Sequence, residues 1–307
     1  MNRRRGTAVA TALLWAALAT AGCGLGAGDS VGEVELTVTR EYGAVPMLHR
    51  NVKATESDTV MRVLEGNAEI STRYGGGFVH TIEGVEESER GGHPFDWFFF
   101  VDGVESPIGA AEFPLEGGER IWWDHRDWLA TNHVPAVVGS WPAPFVDGYE
   151  GERRPVAVAC EGGGASCARV RAALRRAGVE PAGGSPAGAI RVLVGPWARL
   201  RSDPAAALIE AGPEESGVFA DFERRPGGYA LLALDQAGKP SRELGPGAGL
   251  VAATRRYEAP PTWVVTGGTA AAVGTAADLL DTERLRDRYA VATVAGAETP
   301  LPVGGAG

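Results

Sequence analysis

Asp96-Trp97-Phe98-Phe99-Phe100-Val101-Asp102-Gly103 is an apolar run that ends in a turn dipeptide. Five consecutive apolar residues, Trp97 to Val101, rich in aromatics, suit a buried strand. Asp-Gly is a strong hairpin signal, because both central positions of the favoured two-residue turn need positive φ. Working downstream, Glu116-Gly117-Gly118-Glu119 is a second turn and leads into Arg120–Trp128. Alternation there puts Ile121, Trp123, His125 and Asp127 on one face and Trp122, Asp124, Arg126 and Trp128 on the other. Working upstream, glycines 75–77 precede a short strand at Phe78–Ile82. Before it lies a helix capped by Ser57, with Val60, Val63 and Leu64 at helical spacing and Gly66-Asn67 as its stop. Val34, Leu36 and Val38 alternate with Glu33, Glu35, Thr37 and Thr39, as in a half-buried strand. The order strand, helix, short strands predicts one helix packed on a mixed sheet.

The composition changes near residue 150, from aromatic-rich to Ala- and Arg-rich. The later half alternates strands (156–159, 190–194, 218–222, 229–234, 250–254, 262–265, 289–294) with helices (166–177, 204–211, 269–280). That alternation predicts an α/β sandwich with helices on one sheet, of which a duplicated ferredoxin-like plan is one form. The fold class expected is α+β. The boundaries are 1–23 for an export signal, 24–32 for a tether, 33–138 for the first domain, 139–155 for a Pro-, Gly- and charge-rich linker, 156–296 for the second domain and 297–307 for a disordered tail.

The start of the chain reads as an export signal. Arg3, Arg4 and Arg5 precede a short apolar run at residues 7–19, and small residues then meet Cys23. Thr20-Ala21-Gly22-Cys23 is similar to a bacterial lipobox, with Thr20 where Leu is usual. It implies a diacylated Cys23 and a protein held on the outer face of the cell membrane; ordinary signal cleavage with a free Cys23 is the alternative. Removing residues 1–23 strips three arginines from a formal net charge of −10, leaving about −13. An acidic surface repels phosphates, which argues against nucleic-acid partners. Cys160 and Cys167 flank Gly162-Gly163-Gly164. In an oxidising compartment they suit a disulfide, worth roughly 2–3 kcal/mol in the chain-entropy account; two free thiols are the alternative.

His125-Arg126-Asp127 with Asn132 matches the kinase catalytic-loop spacing, but no V-A-I-K lysine, D-F-G or Gly-rich nucleotide loop accompanies it. The histidines His49, His80, His93, His125 and His133 show no metal-ligand spacing. No catalytic residue and no metal is assigned. Asp124 and Asp127 are expected to pair with Arg126 or Arg120. Thr266-Gly267-Gly268-Thr269 is expected to be a helix cap on a permissive turn.

Several segments resemble a known family. They are Val38-Thr39-Arg40-Glu41-Tyr42-Gly43, Asp58-Thr59-Val60-Met61, Tyr74-Gly75-Gly76-Gly77-Phe78-Val79, Asp96–Gly103 and Gly118-Glu119-Arg120-Ile121-Trp122-Trp123-Asp124. Over residues 33–130 the chain resembles an uncharacterised bacterial domain related to the C-terminal β-grasp (ubiquitin-like) domain of transcobalamin and intrinsic factor. With the lipobox and an Ala-rich second domain, the arrangement is similar to actinobacterial lipoproteins. The resemblance implies a β-grasp fold and cobalamin or a related corrinoid as ligand. The residues expected at an exposed aromatic face are Tyr74, Gly75, Gly76, Phe78, Trp97, Phe99, Trp122, Trp123, His125 and Trp128; the alternative is that the tryptophans fill a small core or the interface with the second domain. The function expected is a non-catalytic, surface-anchored lipoprotein that binds a small ligand and assists an importer. The alternatives are an interaction module docking on a transporter or envelope component without a ligand, and an extracytoplasmic enzyme.

Overall fold

The computed structural model describes residues 28–148, 151–162 and 164–304. The export signal, Cys23 and the first part of the tether lie outside the described residues.

The first unit opens with a long hairpin, β1 (Ser30–Arg40) and β2 (Val45–Thr55). Helix α1 (Val60–Glu65) follows. It is capped by Thr59, whose hydroxyl accepts from the Arg62 N–H, and not by Ser57 as expected. Three short strands, β3 (Ile70–Arg73), β4 (Phe78–Ile82) and β5 (Val85–Glu86), form a small separate sheet. Then come β6 (Ser88–Arg90), β7 (His93–Val101), β8 (Val104–Glu105) and β9 (Arg120–Asp127). The main sheet runs β2-β1-β9-β7-β6, with β8 paired to β7. β1 and β9 are parallel, from Glu35 opposite Arg120 to Arg40 opposite His125. β7 and β9 are antiparallel, so Phe100 lies opposite Trp122 and Phe99 opposite Trp123. The two-residue turn between β7 and β8 has φ of 51° at Asp102 and 79° at Gly103, the hairpin geometry that Asp-Gly favours. Val34, Leu36 and Val38 point into a core shared with Val60, Val63 and Leu64 of α1. Period-2 alternation therefore places the helix on one face of this sheet.

The second unit begins with α2 (Ala143–Val146), β10 (Val156–Cys160), α3 (Gly164–Arg176), β11 (Ile190–Pro196) and α4 (Trp197–Leu200). A 3-10 turn at Ala206–Ile209 stands where a helix was expected after Asp203-Pro204. Next are α5 (Pro213–Ser216), β12 (Ala220–Arg225), β13 (Gly228–Leu234), β14 (Pro240–Gly245), β15 (Gly249–Thr254) and β16 (Thr262–Gly267). The unit ends with α6 (Ala270–Ala277), α7 (Thr282–Leu285), β17 (Ala290–Val294) and β18 (Ala297–Leu301). The large sheet runs β10-β11-β16-β15-β17-β18. β10, β11 and β16 are parallel, and the remaining neighbours are antiparallel. A parallel run departs from the ferredoxin-like plan, whose sheet is antiparallel. α3 connects β10 to β11 as a crossover, which makes the pair parallel, and burial on both faces goes with the near-continuous apolar runs of these strands. α3 and α6 cover one face; the small sheet β12-β13-β14, α4 and part of the first unit cover the other.

Three boundary expectations are corrected. The proposed linker 139–155 contains α2, and Trp141 and Phe145 are buried against Trp263, with ring centroids 5.5 and 5.0 Å away. The proposed tail contains β18, paired with β17, and Leu301 is buried. The proposed tether ends early, because β1 starts at Ser30. In each case apolar side chains find a partner that local polarity does not reveal. The disulfide between Cys160 and Cys167 is present, with Cα atoms 6.1 Å apart, and ties the end of β10 to the first turns of α3.

Candidate functional site

The faces of β9 divide as the alternation predicts, but neither is open. Ile121 and Trp123 enter the core beneath α1, and Phe99 stacks on Trp123 at 4.9 Å. His125 lies between Phe95 and Trp97, at ring-centroid distances of 5.8 and 5.0 Å. Its Nε2 donates to the Glu86 carbonyl at 3.0 Å, and burial lowers its pKa to about 4. A neutral, wedged imidazole is a packing group. Trp97 is also buried and donates its indole N–H to the Val85 carbonyl at 3.1 Å.

The other face of β9 is covered by the second unit. Trp122 packs against Phe100 and Tyr289, with centroids 5.4 and 5.3 Å away. Its Nε1 donates to Thr39 Oγ1 at 2.7 Å, and Thr39 donates to Asp124 Oδ1 at 2.6 Å. Asp124 also accepts from the Gly43 N–H at 3.1 Å and, through Oδ2, from the Tyr289 hydroxyl at 3.0 Å. Burial of the Asp124 carboxyl raises its pKa, with the Thr39, Gly43 and Tyr289 donors opposing. The Arg126 guanidinium lies 3.7 Å from the Phe98 ring centroid and donates to the Thr131 carbonyl at 2.8 Å. Asp127 meets the His93 ring nitrogen at 2.5 Å, and its Oδ1 accepts from the Leu129 N–H. The expected pairing of Asp124 and Asp127 with Arg126 or Arg120 is thus corrected: backbone amides, hydroxyls and an imidazole take those places.

The exposed aromatic face is likewise corrected for its tryptophans. Trp97, Trp122 and Trp123 are buried, because the surface they form is the ground on which the helix and the second unit pack. Trp128 is 38% exposed. Tyr74 and Phe78 are 87% and 54% exposed and pair edge-to-face at 6.3 Å. Gly75 and Gly76, both at positive φ, form the open loop between them.

Sequence reasoning missed a cleft of about 310 Å³ beside the β7–β8 turn. Its apolar wall includes Val101, Val104, Pro107, Ile108 and Phe113. Its ionisable lining is acidic: Asp102, Glu105, Glu116, Glu119 and Asp147. Asp102 is 7% exposed; its Oδ1 accepts from the Arg120 N–H at 2.9 Å. Burial, with smaller contributions from the Glu119 and Asp147 charges, raises the Asp102 pKa to about 8. Glu119 turns both oxygens onto the N–H groups of Glu116 and Gly117. Glu105 pairs with His133 at 2.5 Å, which raises the histidine pKa, and accepts from the Val134 N–H at 2.8 Å. Asp102 had been read only as a turn residue, and the turn explains its type without remainder. The one available signal was acids gathered at two turns that flank apolar residues.

Among the described residues no group of three or more His, Cys, Asp or Glu side chains is arranged to hold a metal, and no helix is long and apolar enough to cross a membrane.

Residues 57–126 match the family described as "Domain of unknown function (DUF4430)", within the first unit. No curated protein matches the chain. Among solved structures it is similar to haptocorrin in complex with Cbi, at 16% identity and a TM-score of 0.25, over 31% of this chain. The match spans 25% of that structure's chain.

Proposed function

We propose that this is an exported, lipid-anchored, non-catalytic protein whose first unit, a β-grasp domain, holds a small ligand in the cleft beside Asp102. The β-grasp assignment is supported by a hairpin, a helix and a last strand parallel to the first. One observation carries the ligand reading: a concave, largely apolar site of about 310 Å³ contains two buried carboxyls, of which Glu119 is held by backbone N–H groups and Asp102 keeps one oxygen without a partner among the described residues. Small-molecule sites combine an apolar lining with a few fixed polar groups in this way. Attachment through Cys23 would hold the cleft near the membrane, where an importer could receive the ligand.

The test is a fragment library followed by amide chemical shifts on the full chain. Hits should move Val104, Ile108 and Phe113 together. Hits that leave these three still and move other surfaces would overturn the cleft assignment. Labelled palmitate should enter the wild type and not Cys23→Ser; equal labelling of both would remove the anchor.

A second reading has its own observation. Tyr74 and Phe78 form an exposed aromatic pair on a glycine loop. A transporter or envelope partner, or a flat ligand such as a corrinoid, would use that pair. Cobinamide belongs in the same library: shifts at Tyr74 and Phe78, with the cleft silent, would favour this reading.

A further inference from the structure

The cleft is a chemical selector as well as a cavity. Every ionisable side chain lining it is an acid, and no basic side chain lines it among the described residues. Two arginines outside the lining act on its acids: Arg120, whose guanidinium donates to the Trp141 carbonyl at 2.8 Å and lies 3.5 Å from Glu35, and Arg153, whose charge opposes the rise of the Asp147 pKa. The acids are not equivalent. Glu119 is satisfied by two backbone N–H groups, and Glu105 by His133 and the Val134 N–H. Asp102 is satisfied at one oxygen only. Its Oδ2 accepts no hydrogen bond among the described residues, although the side chain is buried and lines the cleft. Asp147 stands on the same cleft, half-buried, with no hydrogen bond to its carboxylate among the described residues.

We propose that the ligand is a protonated amine carried on an apolar body, its ammonium donating to Asp102 Oδ2 and its body lying along Val104, Ile108 and Phe113. In the free protein burial holds the Asp102 proton up to about pH 8; an incoming ammonium displaces that proton to solvent and leaves a charge-paired carboxylate, so no unpaired buried charge is created. An anion would meet five acidic side chains and no basic side chain in the described lining. A neutral apolar ligand would leave Oδ2 unpartnered, which disfavours it by the desolvation of that atom. The inference rests on the cleft being the ligand site.

Three probes of one shape test it on the full chain at pH 9, where Asp102 is ionised: phenethylammonium, neutral 2-phenylethanol and the anion 3-phenylpropionate. Calorimetry gives affinities, and amide shifts give the location. The ammonium should bind about tenfold or more tighter than the alcohol, as a charge-assisted hydrogen bond implies. The anion should be the weakest. Asp102→Asn should cut ammonium affinity by about the same factor and leave the alcohol nearly unchanged. Asn tolerates the positive φ at this turn, so the variant keeps the hairpin. Asp147→Asn is the second variant and should weaken the ammonium by a smaller factor. If the alcohol equals the ammonium, or neither variant affects the ammonium, the amine class is overturned while binding in the cleft stands. If no probe moves Val104, Ile108 or Phe113 at millimolar concentration, the cleft assignment falls, and the amine proposal with it.

Discussion

Asp102, in the turn after β7, and Asp124, in the middle of β9, are both buried acids, and they differ in how completely they are partnered. Asp124 takes donors at both oxygens, so it acts as a junction post between the two units. Asp102 takes one and faces a cleft. The raised Asp102 pKa has a consequence for stability. The folded state binds its proton up to about pH 8, whereas the unfolded chain releases it near the ordinary carboxyl pKa of 3.8. Stability from this group is therefore fully present below pH 3.8 and declines as pH rises toward 8, by at most about 1.4 kcal/mol per pH unit. Urea unfolding at pH 5 and pH 8 should show wild type losing more stability than Asp102→Asn over that interval. Equal losses in the two proteins would show that Asp102 titrates normally. The residue types at both acids were legible, and their burial was not: Asp102 looks like a turn residue and Asp124 like a surface partner for arginine.

At the scale of elements, β9 was read correctly in its alternation and incorrectly in its exposure. Ile121 and Trp123 face α1, as a period-2 pattern requires. The opposite face carries Asp124 and Arg126, and both are buried. Each keeps its polar atoms largely occupied through Thr39, Tyr289, Thr131 and Asn132, which is how charged groups survive burial. The helix α1 shows a smaller displacement. Ser57 and Thr59 both suit a cap by residue type, and the structure selects Thr59, whose φ of −122° and ψ of 167° are extended. Thr59→Ala should lower stability by about 1 kcal/mol, and Ser57→Ala by much less. Denaturant midpoints compare the two directly; the reverse order would return the cap to Ser57.

At the scale of the whole molecule, an aromatic cluster that belongs to neither unit alone joins the two. Tyr42 packs edge-on to Phe219 and Tyr289, at 5.1 and 5.0 Å, and Trp122 joins them through Tyr289. The units approach so closely that Gly43 has no room for a side chain: a Cβ there would lie 1.8 Å from the Asp287 carbonyl oxygen. Gly43→Ala should therefore lower overall stability by a few kcal/mol, roughly the upper range for single substitutions. It should also separate the unfolding of the first unit from that of the second in a denaturant series. One coincident transition at the wild-type midpoint would argue that the contact is dispensable. Sequence alone determined most strand and helix periodicities and brought Cys160 and Cys167 within reach of a bridge, because these depend on neighbours a few residues away. The tertiary structure alone decided that the tryptophans are interior and that Asp102 borders a cavity. Both outcomes depend on what packs against a surface from far along the chain, and local pattern carries no record of that partner.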